Sequence, residues 1–63
     1  MTLTAGYDVG GAHLKVALLE GGRVVEVRQI ACPLWLGLDQ LGAALDEAKA
    51  ITAGATRHAV TMT

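Results

Sequence analysis

The stretch YDVGGAHLK, residues 7–15, decides how this 63-residue chain begins to fold. A short apolar run, Leu3 to Val9, precedes two glycines, and a second apolar run follows from His13. Gly10 and Gly11 provide two positions at which a positive φ carries no steric cost. The stretch therefore predicts a buried first strand and a tight turn into a second strand.

A second glycine pair, Gly21 and Gly22, separates the run HLKVALLE from the run RVVEVRQIA. Two glycines between apolar runs are a strong hairpin signal, because both central residues of the favoured turn need a positive φ. The second and third strands should therefore lie side by side. Pro33 should end the third strand, since proline has no amide hydrogen to donate to a neighbouring strand.

From Leu38 onward the apolar spacing changes from alternation to a helical period. One buried helix face is predicted by the spacing i, i+3, i+7 and i+10 of Leu38, Leu41, Leu45 and Ala48. Asp39 and Lys49 lie near the two ends of this helix, where their charges complement its dipole. Gly42 predicts a close contact inside the helix, and Gly54 predicts its end.

The run HAVTMT, residues 58–63, predicts a fourth strand after the helix. The element order is then β-β-β-α-β, and a right-handed crossover would place the last strand beside the first and parallel to it. The predicted fold class is α/β with a mixed sheet. Such a sheet has an exposed edge and a half-covered helix face, so we expect the chain to be truncated, the front of a longer protein.

Composition and charge narrow the class of partner. The chain is 52% hydrophobic, its net charge is −1, and its five basic residues are scattered. That pattern is not an electrostatic footprint for nucleic acid or for an anionic membrane. No apolar run approaches the roughly 18 residues of a membrane span. We expect a cytoplasmic protein whose partner is a small molecule, and a homo-oligomer stays open.

The first turn carries the residue types that metal-assisted phosphate chemistry requires. Asp8 could hold Mg²⁺ through water, because this ion gives up its water reluctantly. Glycine amides can approach a phosphate closely, and Lys15 is the cation for charge on a departing phosphate. Thr61 and Thr63, near the end of the last strand, could face the same cleft as Asp8. The plainer interpretation is that Asp and Gly only shape the turn.

With the β-β-β-α-β context, GYDVGGAHLKVALLE resembles the first phosphate-binding motif of the sugar kinase, Hsp70 and actin superfamily. That superfamily has the ribonuclease H-like fold, so the resemblance implies that residues 1–63 are the N-terminal part of such a domain. Without the second lobe, this part alone should not be catalytic. Gly11 and Ala12 stand where the superfamily usually has Thr or Ser, which points away from ATP hydrolysis and kinase activity.

DVGGAHLK, CPLWLGLDQL and HAVTMT together resemble a narrower branch, the hydantoinase/oxoprolinase-related proteins of the tetrahydromethanopterin-linked one-carbon pathway. Its archaeal members are methanofuran-biosynthesis transferases, which join an aminomethylfuran-methyl diphosphate to γ-glutamyltyramine and release pyrophosphate. The resemblance implies Mg²⁺ as cofactor and leaves ATP open. It implies a metal ligand at Asp8, a catalytic role for Lys15, and phosphate binding by Gly10, Gly11, Ala12, His13 and Lys15. For His13, a solvated strand residue is the alternative. ATP-dependent ring opening, kinase activity and a non-catalytic binding domain remain as alternatives.

Three further residues have plain structural interpretations. Cys32, alone and followed by Pro33, fits a small buried hydrophobe better than a nucleophile. Trp35 is expected to pack against the core or the helix, with stacking on a substrate as the alternative. His58 has no partner at metal-ligand spacing, so a structural role in the last strand is favoured.

Overall fold

The computed structural model describes residues 2–62, and its elements follow the predicted order. The elements are β1 (Leu3–Val9), β2 (His13–Glu20), β3 (Arg23–Ala31), a 3₁₀ turn (Leu34–Leu36), α1 (Asp39–Thr52) and β4 (Arg57–Met62). β4 begins one residue before the predicted start at His58. The predicted β-β-β-α-β order is confirmed.

The four strands form one mixed sheet in the order β3-β2-β1-β4. β1 pairs antiparallel with β2 and parallel with β4, which confirms the predicted crossover beside the first strand. The chain is therefore α/β, a small unit of one helix and a mixed four-stranded sheet. Within residues 2–62, no helix is long and apolar enough to cross a membrane.

Alternation along the strands gives the sheet two different faces. One face packs against α1, and the core there consists of Val9, Leu14, Val16, Ile30, Cys32, Ala44 and Ala48. Leu14, Val16 and Cys32 are fully buried, so the prediction that Cys32 is a small buried hydrophobe is confirmed. Burial of one such aliphatic side chain contributes about 1.5–3 kcal/mol. The opposite face carries Asp8 and Lys15.

α1 contacts β2 and β3, and its buried residues are Ala44, Ala48 and Thr52. The alanines let the helix backbone approach the sheet, because they add no side chain beyond Cβ. The predicted leucine face is only partly right, since Leu38 precedes the helix and is 81% exposed. Leu41 and Leu45 line a groove beside β4, over the half of the sheet that α1 does not cover.

Two smaller predictions about this region are wrong. A Cβ at Gly42 would meet no atom within 4 Å, so this glycine makes no close contact. Trp35 is 72% exposed, because the 3₁₀ turn packs Leu34 against the core and directs the indole outward. Asp39 and Lys49 do lie in the first and last turns of α1. Gly54 follows the helix as predicted, although its φ is not positive.

The β2–β3 hairpin has the predicted two-residue turn. Gly21 and Gly22 have φ angles of +57° and +83°, and Glu20 pairs with Arg23 across them. These angles belong to the turn type whose twist matches the twist of the flanking strands. The second glycine pair is therefore explained by local backbone geometry alone.

Candidate functional site

Four polar side chains form a row across the sheet, on the face opposite α1. Asp8 in β1 pairs with Lys15 of β2 on one side and with Thr61 of β4 on the other. Lys15 in turn pairs with Gln29 of β3. Directly opposed residues of neighbouring strands point to the same face of a sheet. We call Gln29, Lys15, Asp8 and Thr61 the polar row.

The Thr61 hydroxyl lies beside the Asp8 carboxylate. Thr61 Oγ1 donates to Asp8 Oδ1 at 3.3 Å, and the Tyr7 carbonyl is an alternative acceptor at 3.4 Å. The prediction that Thr61 faces the same cleft as Asp8 is confirmed. The matching prediction for Thr63 lies outside the described residues. Within residues 2–62 no side chain donates to the other carboxylate oxygen, Oδ2, so a ligand could bind there.

A shallow cavity of about 310 Å³ lies along the polar row. Asp8, Lys15 and Thr61 line it, together with a floor of small or apolar residues that includes Gly6, Ala17, Val27 and Ala59. Among residues 2–62, no ion pair joins Asp8 to Lys15, although they are direct cross-strand neighbours. Each charge therefore remains available to a ligand that enters the cavity.

The turn between β1 and β2 is shaped differently from the prediction. Neither Gly10 nor Gly11 has a positive φ, so the turn does not use the freedom that the glycines offer. The Gly10 amide donates to the His13 carbonyl at 3.0 Å. A phosphate oxygen would have to displace that bond to reach Gly10. The amides of Gly11 and Ala12 have no backbone acceptor within residues 2–62, so they are the donors of this turn that a phosphate could bind directly.

Two hydrogen bonds attach this turn to the segment that follows β3. The Cys32 amide donates to the Ala12 carbonyl at 2.8 Å, and the Leu34 amide donates to the Gly11 carbonyl at 3.3 Å. Because both bonds use carbonyls, the amide side of the turn is left for a ligand. Buried Cys32 therefore has a positioning role that its side-chain chemistry does not indicate.

The turn and the cavity occupy different places at the same end of β1 and β2. Gly10, Gly11, Ala12 and His13 do not line the cavity of the polar row. His13 is exposed, and strand alternation places it on the same face as Lys15. The structure thus brings Asp8, Lys15 and Thr61 together directly, and it places the other predicted phosphate ligands next to them along the strands.

The oxygen donors of the polar row fit Mg²⁺ rather than a softer metal. Within residues 2–62, no cluster of three His, Cys, Asp or Glu side chains could enclose an ion. Mg²⁺ does not require one, because it keeps several waters and binds through one or two carboxylates plus substrate phosphates. Asp8 could supply that carboxylate, and a phosphate ligand would complete the shell.

One polar contact on the helix side of the sheet gave no signal in the sequence. Tyr7 Oη lies 2.9 Å from His58 Nδ1, and the two rings stack with their centroids 5.8 Å apart. These residues are 51 positions apart in the chain and meet only because β4 pairs with β1. The contact faces away from the polar row and gives one imidazole nitrogen a hydrogen-bond partner, which agrees with the predicted structural role of His58.

No protein-family model matches the chain, and a search of curated proteins finds no significant match. The polar row and the adjacent turn are therefore the features that indicate a function, through the chemistry of their side chains and amides.

Proposed function

We propose that the polar row and the first turn form a Mg²⁺-dependent phosphate site, which works as part of a diphosphate-releasing transferase. The observation that carries this proposal is the position of Asp8 between Lys15 and Thr61 at one end of β1. A carboxylate, an ammonium group and a hydroxyl then share one cavity. This combination suits a phosphate that binds together with a divalent cation.

The charges assign a role to each residue. Asp8 would repel a phosphate placed beside it, so it contributes to binding only when a cation lies between them. Asp8 would hold hydrated Mg²⁺, which supplies positive charge against the phosphate oxygens. Lys15 neutralises negative charge that develops on a departing pyrophosphate. The Gly11 and Ala12 amides and the His13 imidazole donate to the remaining oxygens.

The fuller proposal extends the resemblance in the sequence. The chain is the N-terminal part of a ribonuclease H-like domain in a cytoplasmic enzyme of methanofuran-type cofactor biosynthesis. Its reaction joins an aminomethylfuran-methyl diphosphate to γ-glutamyltyramine. Support comes from the turn, which offers amides but no hydroxyl, because a diphosphate leaving group depends more on cations than on a Thr or Ser contact. A non-catalytic binding domain of the same fold is the alternative from a different class; it would show no measurable Mg²⁺-dependent affinity for phosphate compounds, and Asp8→Asn would change nothing.

Thr61 favours a second candidate, an ATP-dependent hydrolase of the hydantoinase/oxoprolinase kind or a kinase. The turn has Gly11 and Ala12 where a hydroxyl is usual, but Thr61 places a hydroxyl 3.3 Å from Asp8 from another strand. The hydroxyl could serve ATP if its hydrogen turned from Asp8 to a phosphate oxygen. ATP turnover without any furan substrate would favour this candidate, whereas pyrophosphate release only from the furan diphosphate would favour the transferase.

The phosphate site itself can be tested on the chain by NMR titration with pyrophosphate, with and without Mg²⁺. We expect Mg²⁺-dependent shifts of the amide signals of Gly11, Ala12 and Lys15. The amides of Gly21 and Gly22 provide the internal control, because their turn has the same residues without a neighbouring polar row. Equal shifts at both turns, or shifts that ignore Mg²⁺, would contradict the proposal.

A further inference from the structure

Gln29 is the member of the polar row to which the phosphate site described above gives no role. It lies in β3 directly opposite Lys15, so the Cβ atoms of the two residues are about 5 Å apart. Among residues 2–62, neither of these two side chains makes a hydrogen bond or an ion pair. The amide of Gln29 can therefore bind a ligand that reaches Lys15.

The two sides of Lys15 differ in charge. On one side lies Asp8, whose carboxylate attracts a cation and repels a phosphate. On the other side lies β3, and its residues next to Lys15 on the face of the polar row carry no charge: Val27, Gln29 and Ala31. An anionic ligand held by Lys15 would therefore extend towards β3.

Arg28, which precedes Gln29 in the chain, does not share this face. Strand alternation directs its side chain to the other face of the sheet, where its guanidinium pairs with Glu26 at 2.7 Å. Within residues 2–62, the Gln29 amide is thus the side-chain donor that β3 presents beside Lys15.

The length of the polar row distinguishes between phosphate ligands. Neighbouring strands are about 4.8 Å apart, so Asp8 in β1 and Gln29 in β3 are separated by about 10 Å across β2. A single phosphate that contacts Mg²⁺ at Asp8 spans only the first of these two intervals. A second phosphate, joined to the first, extends past Lys15 to a position where Gln29 can donate to it.

We propose that Gln29 binds the second phosphate of a diphosphate group and makes the site selective for a diphosphate over a single phosphate. The inference rests on the proposed Mg²⁺-dependent phosphate site and adds a specificity residue to it. Lys15 lies between the two phosphates, and Gln29 Nε2 donates to an oxygen of the second one. Because the amide is uncharged, it contributes a directed hydrogen bond and no general attraction for anions.

The side-chain amides provide a direct test, because the sequence contains no asparagine and only two glutamines, Gln29 and Gln40. In NMR titration with pyrophosphate and Mg²⁺, the Nε2 hydrogens of Gln29 should shift and those of Gln40, in α1, should not. Orthophosphate with Mg²⁺ should shift the backbone amides of Gly11 and Ala12 but not the Gln29 side chain. Equal shifts of the Gln29 side chain with both ions would overturn the inference.

Variants at the two glutamines measure the selectivity by calorimetric titration. Gln29→Leu should lower pyrophosphate affinity about fivefold, as expected for one hydrogen bond, and should not change orthophosphate affinity. Gln29→Glu should lower pyrophosphate affinity about tenfold or more, because a carboxylate repels the second phosphate. Gln40→Glu makes the same change of charge on α1 and is the matched control, with no effect expected. Circular dichroism of each variant checks that the fold is kept.

The results separate this inference from the proposed function. If the wild-type chain binds no pyrophosphate in the presence of Mg²⁺, the phosphate site and the role of Gln29 are both wrong. If pyrophosphate binds with Mg²⁺ and the Gln29 variants bind it as the wild type does, the phosphate site stands and only the role of Gln29 is wrong.

Discussion

The two glycine pairs of this chain have the same composition and different structures. Gly21 and Gly22 both have a positive φ and form a two-residue turn that faces solvent. Gly10 and Gly11 have no positive φ, and their turn is attached to the chain after β3 through the carbonyls of Gly11 and Ala12. Gly21 and Gly22 supply the two positive φ angles that the hairpin turn requires. In the other turn the Gly10 amide is bonded to the His13 carbonyl, and within residues 2–62 the amides of Gly11 and Ala12 have no backbone acceptor.

The difference shows what a Gly-Gly dipeptide can be used for. Where φ is positive, glycine is required by the conformation, and a side chain at that position costs stability. Where φ is ordinary, stability does not require glycine, and its value lies in the open space above the backbone. At Gly11 a Cβ would meet nothing within 4 Å, so that space is available to a ligand.

The largest expected effect is on pyrophosphate affinity, and it distinguishes Asp8 and Glu20, the carboxylates that precede the two turns. Asp8→Asn should lower Mg²⁺-dependent pyrophosphate affinity by about tenfold or more, because interactions with a charged group contribute about 1.5–3 kcal/mol. Glu20→Gln, next to the other turn, should leave it unchanged. Calorimetric titration of both variants measures the difference. An unchanged affinity in the Asp8 variant would exclude Asp8 as the metal ligand.

A second prediction compares stability at the two turns. Gly22→Ala should lower the free energy of unfolding by about 1 kcal/mol or more, since alanine disfavours its φ of +83°. Gly11→Ala should change it by less than about 0.5 kcal/mol, because φ is ordinary and no atom is displaced. Chemical denaturation of both variants provides the measurement. Equal losses would mean that the first turn is also constrained by its backbone.

Thr61 is expected to have a smaller effect on binding. Thr61→Val keeps the shape and strand preference but removes the hydroxyl that donates to Asp8, and one hydrogen bond is worth about 1 kcal/mol. Pyrophosphate affinity should therefore fall about fivefold. Thr4→Val, at the other end of β1, is the control and should have no effect. If both variants bind alike, the Thr61 hydroxyl does not position Asp8.

The smallest effect is expected on ATP affinity, when a hydroxyl is introduced at Gly11. Gly11→Ser introduces a hydroxyl into space that is empty. ATP affinity should rise about two- to threefold relative to Gly11→Ala, as expected for one weak hydrogen bond. Fluorescence titration with a labelled ATP analogue compares the two. Identical affinities would place the phosphate away from residue 11.

Local sequence signals predicted most of the secondary structure. Gly21 and Gly22 predicted the hairpin because the turn geometry depends on two adjacent residues. The helix prediction was weaker in detail, since the leucine spacing identifies an apolar stripe but not the strands it will cover. α1 lies over β2 and β3 with its alanines inward, so Leu45 remains 38% exposed beside β4. The prediction that Trp35 is buried was wrong for the same reason. Whether a side chain is buried depends on how segments far apart in the chain pack together.

In the candidate site, too, residues close together in the chain were predicted from the sequence, whereas contacts between distant residues were not. Asp8 and Lys15 could be identified from the sequence because their spacing around a turn makes them cross-strand neighbours. Thr61 was expected to face the cleft of Asp8 only because it lies near the end of the last strand. Its contact with Asp8, and the contact of Tyr7 with His58, depend on the parallel register of β1 and β4. That register is set by the packing of α1 and the crossover.

The sequence by itself determined the order of strands and helix, the hairpin at Gly21 and Gly22, and the residue types around the first turn. These features depend on interactions between residues close together in the chain. Only the tertiary structure decided that the Gly11 and Ala12 carbonyls would be used and their amides left open. It also decided that Thr61 would lie beside Asp8 and that Tyr7 would contact His58. Each of these depends on contacts between segments that are far apart in the chain, and neither composition nor periodicity specifies such contacts.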